Sequence, residues 1–281
     1  MSQISLYKIL SKIFFVTFIF LNLQNISSAY EQIQIDYPDK SANLPATTTY
    51  YFKGVNSKAL ILFLPGGDGM MHGGGSDLFS MPFRSLADKN FSQGTYDFAS
   101  INSNKSLQTR NDRDWLNNVY QLRSERDHIL RVESAINYYK SKTKLPIILF
   151  GHSNGGVSVE IILNHLIKEN KINLISGIIV SETNDTTARE IRTILTKPEI
   201  NMPSIFIIHR KTRCSSVNYN YQIGQFEKVA EEKKGLVSII NIETGLDSSN
   251  HPCYSGYHMY YGADKEVLQK VEPELNKIKF K

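Results

Sequence analysis

The sequence predicts an α/β fold: a mostly parallel central sheet with helices on both faces. Three observations lead there. Apolar runs of strand length alternate with segments of helical periodicity, the pattern of a parallel sheet covered on both sides. Two β-rich segments near the beginning, 32–37 and 47–53, are placed to pair as an antiparallel hairpin. At 145–168 an apolar strand run, a glycine-rich hexapeptide and a helical segment follow one another without a break.

Taken in order, residues 32–37 alternate apolar and polar as a half-buried edge strand does, and 47–53 are rich in Thr, Tyr and Phe. Residues 59–64 are wholly apolar and stop at Pro65-Gly66-Gly67, a strand run into a turn. A fourth strand is expected at 96–101. Residues 102–122, with Arg110, Asp112, Arg113, Asp114 and Trp115, lack a clear period and read as an excursion near a site or as a solvated loop. Ser124-Glu125-Arg126-Asp127 resembles a capping box, and Ile129, Val132, Ile136 and Tyr139 then share one helical face. Strands follow at 145–150, 175–181, 204–209 and 236–242. Helices are expected at 157–168, around 187–196 and 219–234, and from about 263 to 279. No repeat, low-complexity tract or linker interrupts residues 30–281, which read as a single domain.

The chain has 281 residues, 41% of them hydrophobic, enough for one large core. Its formal net charge is +5, of which Lys8 and Lys12 supply two. The other basic residues are scattered, so no nucleic-acid-binding stripe is expected. Residues 1–12 are short and polar with those two lysines, 13–21 are apolar except for Thr17, and 22–29 end Ser27-Ser28-Ala29. This is the plan of a secretory signal peptide cleaved after Ala29, leaving Tyr30 as the mature N-terminus. The alternative is a retained anchor, but the apolar run is far shorter than the about 20 residues a membrane span requires. The expectation is therefore an exported protein, periplasmic or secreted, with no membrane span after cleavage.

The hexapeptide Gly151-His152-Ser153-Asn154-Gly155-Gly156 sits between a predicted strand and a predicted helix. In that setting Gly-x-Ser-x-Gly acts as a nucleophile elbow: the glycines permit a sharp turn and close backbone approach, and the serine Oγ is raised above the sheet. A glycine-rich turn with no chemistry is the plainer reading of so short a pattern. With the alternating strands and the antiparallel start, the chain resembles the α/β-hydrolase family over most of residues 30–281. Its C-terminal half is similar to dienelactone hydrolases. The resemblance implies that Ser153 is the nucleophile of a serine esterase or related hydrolase.

A serine needs a base to take its proton and donors to hold the oxyanion. The resemblance implies that the N–H of Asn154 is one donor and that the other comes from the loop 64–69, with Gly67 preferred and Asp68 next. That loop is a poor phosphate cradle: no Gly-Lys-Ser/Thr follows, and His72 stands where a third spaced glycine is needed. The base is expected before the last helix, where His258 is preferred over His251; His152 and His209 read as supporting residues. The two cysteines, Cys214 and Cys253, match the placement of a bridge in some relatives, between the loop after the seventh strand and the segment before the histidine. Such a bridge suits an exported protein, whereas two buried free thiols are the alternative.

The acid is the departure from the pattern. The expected loop, 209–214, holds no carboxylate, and there is none between Glu199 and Glu227. Glu182 or Asp185, after the sixth strand, are the alternatives, with Glu182 preferred. A Ser–His dyad with a neutral partner such as Thr212, or a degenerate site, also remains open. The expected reaction is hydrolysis of a small-molecule or carbohydrate-linked ester without metal or cofactor. Tyr221, Tyr254, Tyr257, Tyr260 and Tyr261 suggest an aromatic cleft, or simply an ordinary surface. Amide hydrolysis, acyl transfer and a non-catalytic binding protein are the competing readings.

Overall fold

Eight strands form one sheet in the order β1-β2-β4-β3-β5-β6-β7-β8. They are β1 (Glu31–Ile35), β2 (Thr47–Phe52), β3 (Ala59–Leu64), β4 (Tyr96–Asn102), β5 (Ile147–His152), β6 (Gly177–Ser181), β7 (Ser204–His209) and β8 (Val237–Ile242). The hairpin β1–β2 is antiparallel and β2 joins β4 antiparallel; every later pairing is parallel. The structure is a computed structural model and describes residues 30–37, 45–71, 95–108, 115–247, 252–253 and 256–280. The segment 1–29 that reads as a signal peptide, His72, residues 110–114, His251 and Tyr254 lie outside the described residues. Residues 31–281 form one unit.

The strands are parallel because their runs are apolar on both faces. Leu60, Leu62, Leu64, Leu149, Ile178, Val180, Phe206 and Ile208 belong to one large core cluster. The alternate residues Ile61, Phe63, Ile148, Phe150, Ile179 and Ile207 are equally buried on the opposite face. Four helices contribute to the large cluster: α2 (Arg126–Thr143), α3 (Asn154–Lys168), α4 (Asp185–Leu195) and α5 (Tyr219–Glu232). The last helix, Asp264–Lys277 (α6 below), buries Val267, Val271 and Leu275 outside that cluster and packs beside β8. Each fully buried Leu or Ile contributes about 1.5–3 kcal/mol.

Three expectations need correction. A helix, α1 (Trp115–Ser124), occupies the end of the region that lacked a period. Leu116, Val119, Tyr120 and Arg123 do share a helical face, but the fourth member is a fully buried arginine, which breaks the apolar signal. The capping box is not formed either. Ser124 ends α1 and Glu125 alone separates it from α2, so the N-cap is Glu125, with no side-chain cap. The elbow strand also lies two residues later than expected, at 147–152, because β5 stays in register with β6 up to the His152–Ser181 pair. Among the described residues no helix is long and apolar enough to cross a membrane.

Candidate active site

Ser153 stands between the last residue of β5 and the first of α3, with φ 53° and ψ −125°. A non-glycine residue in such a conformation costs about 1–3 kcal/mol and persists only when its surroundings impose it. Here they do. A Cβ on Gly151 would stand 2.3 Å from the carbonyl oxygen of Gly155, and one on Gly155 would stand 2.0 Å from that of Leu64. Helix α3 therefore rests directly on the ends of β3 and β5. The Ser153 N–H donates to Ser181 O at 2.8 Å, tying the elbow to the end of β6.

Three side chains from distant parts of the chain meet there. The Oγ of Ser153 is 3.0 Å from Nε2 of His258, and Nδ1 of His258 is 3.1 Å from Oε2 of Glu182. His258 and Glu182 are both 1% exposed, so water does not compete for these contacts. Glu182 accepts two further hydrogen bonds: Oε1 from the backbone N–H of His209, and Oε2 from Thr212 Oγ1 at 2.6 Å. A carboxylate that only accepts places the imidazole proton on Nδ1, leaving the Nε2 lone pair for the serine hydroxyl. Glu182 itself adopts φ 47°, a second non-glycine residue held at positive φ in this site.

The histidine loop is fixed from below. Tyr260, at φ 52°, is buried, donates its hydroxyl to Ile207 O at 3.0 Å and lies 2.8 Å from Ser181 Oγ. A disulfide joins Cys214, after β7, to Cys253, five residues before His258. His152 lies in the core with its ring 5.1 Å from that of His258; burial, and then the neighbouring His258, push its pKa well below the usual histidine value. His209 donates from Nε2 to Thr244 O at 2.7 Å and accepts from the Lys211 N–H at Nδ1, so it is a structural neutral imidazole.

The loop after β3 packs onto the elbow. A Cβ on Gly66 would be 3.0 Å from the Ser153 Cβ, and Gly67 has φ 53° with nothing within 4 Å of where its Cβ would stand. Asn154 opens α3, so its N–H lacks a helical acceptor and lies at the positive end of the helix dipole. Its side chain donates to Gly67 O at 3.2 Å and to Gln108 Oε1 at 3.1 Å. The residue after the candidate nucleophile thus presents an N–H without a helical acceptor at the head of α3.

Several candidates are placed elsewhere. Asp185 accepts from the Asn218 N–H and Gln222 Nε2 and makes no contact with His258. Thr212 serves Glu182 rather than standing in for it. Of the four tyrosines among the described residues, Tyr260 is buried, Tyr257 lies tilted against His209 with ring centres 4.6 Å apart, and Tyr221 and Tyr261 are exposed, so they do not form one aromatic wall. Sequence reasoning missed Arg123, which donates to the carbonyl of Gly67 from inside the protein. A charged residue at the fourth apolar position of α1 was its only signal. Among the described residues no cluster of His, Cys, Asp and Glu could hold a metal ion.

No protein-family model matches the chain, and no curated protein is similar to it in sequence. Solved structures are similar in fold. A dienelactone hydrolase from Anabaena variabilis superposes with a TM-score of 0.55 at 13% identity, covering 89% of this chain and 98% of that one. A fungal esterase from Rhizomucor miehei gives 0.57 at 9% identity, covering 89% and 83%. Brefeldin A esterase, a bacterial homologue of human hormone-sensitive lipase, gives 0.55 at 9% identity, covering 89% and 76%. The chain has the α/β-hydrolase fold.

Proposed function

We propose that this protein is a serine hydrolase that cleaves carboxylic esters through an acyl-enzyme on Ser153. The observation that carries the reading is the chain Ser153–His258–Glu182, with links of 3.0 and 3.1 Å, on a strained elbow at the carboxyl edge of a parallel sheet. That edge is where open α/β sheets place their ligands. The structural neighbours named above are themselves described as esterases and a hydrolase, which supports the same class.

The steps follow from the residues. Ser153 Oγ attacks the acyl carbonyl carbon as its proton passes to His258 Nε2. Glu182 holds the ring by Nδ1 and stabilises the imidazolium that forms. The carbonyl oxygen becomes an oxyanion, held by the N–H groups of Asn154 and Gly67. Collapse expels the alcohol, which takes the proton from Nε2, and leaves the acyl group on Oγ. Water then attacks the acyl carbon, His258 receives its proton, and the acid departs with Ser153 restored. Each donor at the oxyanion typically lowers the barrier by about 3–4 kcal/mol.

The opposing reading, a fold retained for binding alone, drew its force from the missing carboxylate at 210–214. A carboxylate on the histidine Nδ1 weighs against it. We further infer that residues 1–29 are a cleaved signal peptide and that the protein works outside the cytoplasm, where the Cys214–Cys253 bridge is stable. The test of the hydrolase reading is turnover of p-nitrophenyl esters of graded acyl length by residues 30–281. Hydrolysis that disappears in Ser153→Ala supports it, and equal rates in the two proteins refute it.

A further inference from the structure

We propose that Arg123, fully buried against the loop after β3, is a positioning residue that fixes the two peptides flanking the oxyanion-binding Gly67 N–H. The inference rests on the serine-hydrolase reading. The loop Pro65-Gly66-Gly67-Asp68-Gly69 has little conformational preference of its own, since glycine populates either sign of φ with similar ease. A glycine-flanked peptide that rotates exchanges the positions of its C=O and its N–H, so an oxyanion hole built from such peptides needs its carbonyls held.

Every carbonyl from residue 65 to residue 69 is held. Pro65 O accepts from Arg123 Nη2 at 3.4 Å, and Gly67 O from the same nitrogen at 3.0 Å and from Asn154 Nδ2 at 3.2 Å. Gly66 O accepts from the Gly69 N–H at 2.9 Å, Asp68 O from the Leu107 N–H at 2.7 Å, and Gly69 O from the Ser103 N–H at 3.0 Å. In a trans peptide the N–H points opposite to the C=O. Gly66 O is turned to the Gly69 N–H, so the Gly67 N–H of the same peptide points the other way. Arg123 alone serves two of these carbonyls, those of the 65–66 and 67–68 peptides, which flank the peptide carrying the Gly67 N–H.

Arg123 is itself held in place. Its Nη1 donates to Ser158 Oγ at 2.5 Å, that oxygen is 2.9 Å from His128 Nε2, and the charge of Asp68 acts favourably on the guanidinium. Burying a cation costs several kcal/mol, a penalty a leucine at the same position would not incur. Stability therefore does not explain an arginine at a position where the helix face calls for a leucine. Such departures from local rules gather at functional sites.

The test is Arg123→Met in the mature chain, which keeps the volume and removes the donors. Positioning predicts that kcat for an ester falls on the order of 10–100-fold, with KM within threefold of wild type. Affinity for an alkylboronic acid, whose tetrahedral adduct on Ser153 carries the oxyanion, falls in parallel with kcat. The melting temperature falls by only a few degrees, the cost of leaving buried acceptors without this donor, and saturating substrate does not restore kcat. Arg123→Lys, with a single point donor, restores part of kcat. Wild-type kcat in Arg123→Met, or a fall in melting temperature and a rise in KM that account for the whole loss, would overturn the proposal. If Arg123→Met does not fold, Ser158→Ala decides: it removes the Nη1 acceptor and must lower kcat at constant KM, and wild-type kcat there overturns the inference. Failure of the hydrolase reading is distinguishable, because the wild-type protein would then not turn over esters at all.

Discussion

Glu182 Oε2 lies 3.1 Å from Nδ1 of His258 even though 75 residues separate them and the expected acid loop is empty of carboxylates. The contact exists because Glu182 follows β6 directly, while the loop after β7 turns its own groups toward the same carboxylate, the His209 N–H and the Thr212 hydroxyl. In the proposed mechanism the acid thus stands one strand earlier than the resemblance implies, and the loop after β7 supplies its hydrogen-bond donors.

Glu182→Gln is expected to lower kcat by roughly 10⁴, the cost of losing a triad carboxylate that fixes the histidine tautomer. Steady-state ester hydrolysis measures it. A variant with more than a tenth of wild-type activity would remove Glu182 from the mechanism.

Thr212→Val removes one of the donors on Glu182 and leaves the other contacts in place. A neutral donor to a carboxylate contributes about 1.5–3 kcal/mol, so kcat is expected to fall about tenfold or more. An unchanged rate would mean that the Thr212 hydroxyl does not support the acid.

How much of this was legible depended on what kind of constraint each residue obeys. The elbow and the loop 65–69 could be read because close backbone approach admits only glycine, and a Cβ at Gly155 would collide with Leu64 O. Continuous apolar strands announced the parallel sheet for the same reason: burial on both faces leaves no polar alternation. Glu182 could be named only by its position after a strand, since its partners come from β7 and the last loop. Arg123 and α1 were hidden because a buried cation contradicts the periodicity that marks a helix. Tyr260, which the sequence leaves between cleft and surface, is instead buried, because its hydroxyl partner, Ile207 O, is distant in sequence.

Gly155→Ala places a methyl group 2.0 Å from a backbone oxygen that cannot swing away. Overpacking of this kind costs typically 1–3 kcal/mol or more, and here the moving parts are α3 and β3 themselves. Thermal unfolding is expected at a temperature several degrees below wild type, with activity lost in the same variant. Wild-type stability would show that the elbow is looser than its geometry states.

Glu160, on α3, is buried and accepts the Tyr120 hydroxyl at 2.8 Å. Burial pushes its pKa up from 4.5 to about 7. The native state then holds the proton more tightly than the unfolded chain. The stabilisation is complete below pH 4.5 and is lost as pH rises toward about 7. At most this amounts to about 3 kcal/mol. Glu160→Gln is expected to raise the melting temperature relative to wild type at pH 8 but not at pH 5. An equal difference at both values would contradict the assignment.

The Cys214–Cys253 bridge closes a loop of 39 residues. The chain-entropy model values such a closure at about 4 kcal/mol. Replacing both cysteines with serine is expected to lower the midpoint of denaturant unfolding accordingly. Activity should fall further than stability, because the loop carrying Thr212 and the segment leading to His258 lose their tether. An unchanged midpoint would remove the bridge from the account of stability.

The central claim is that Ser153 is an activated nucleophile, and covalent labelling by a fluorophosphonate reports on it most directly. Mature protein treated at neutral pH and digested is expected to carry one phosphonyl group, on the peptide containing Ser153. The label should be absent in Ser153→Ala and much slower to form in His258→Ala. Protein that remains unlabelled at Ser153 from pH 5 to 9 would contradict the account.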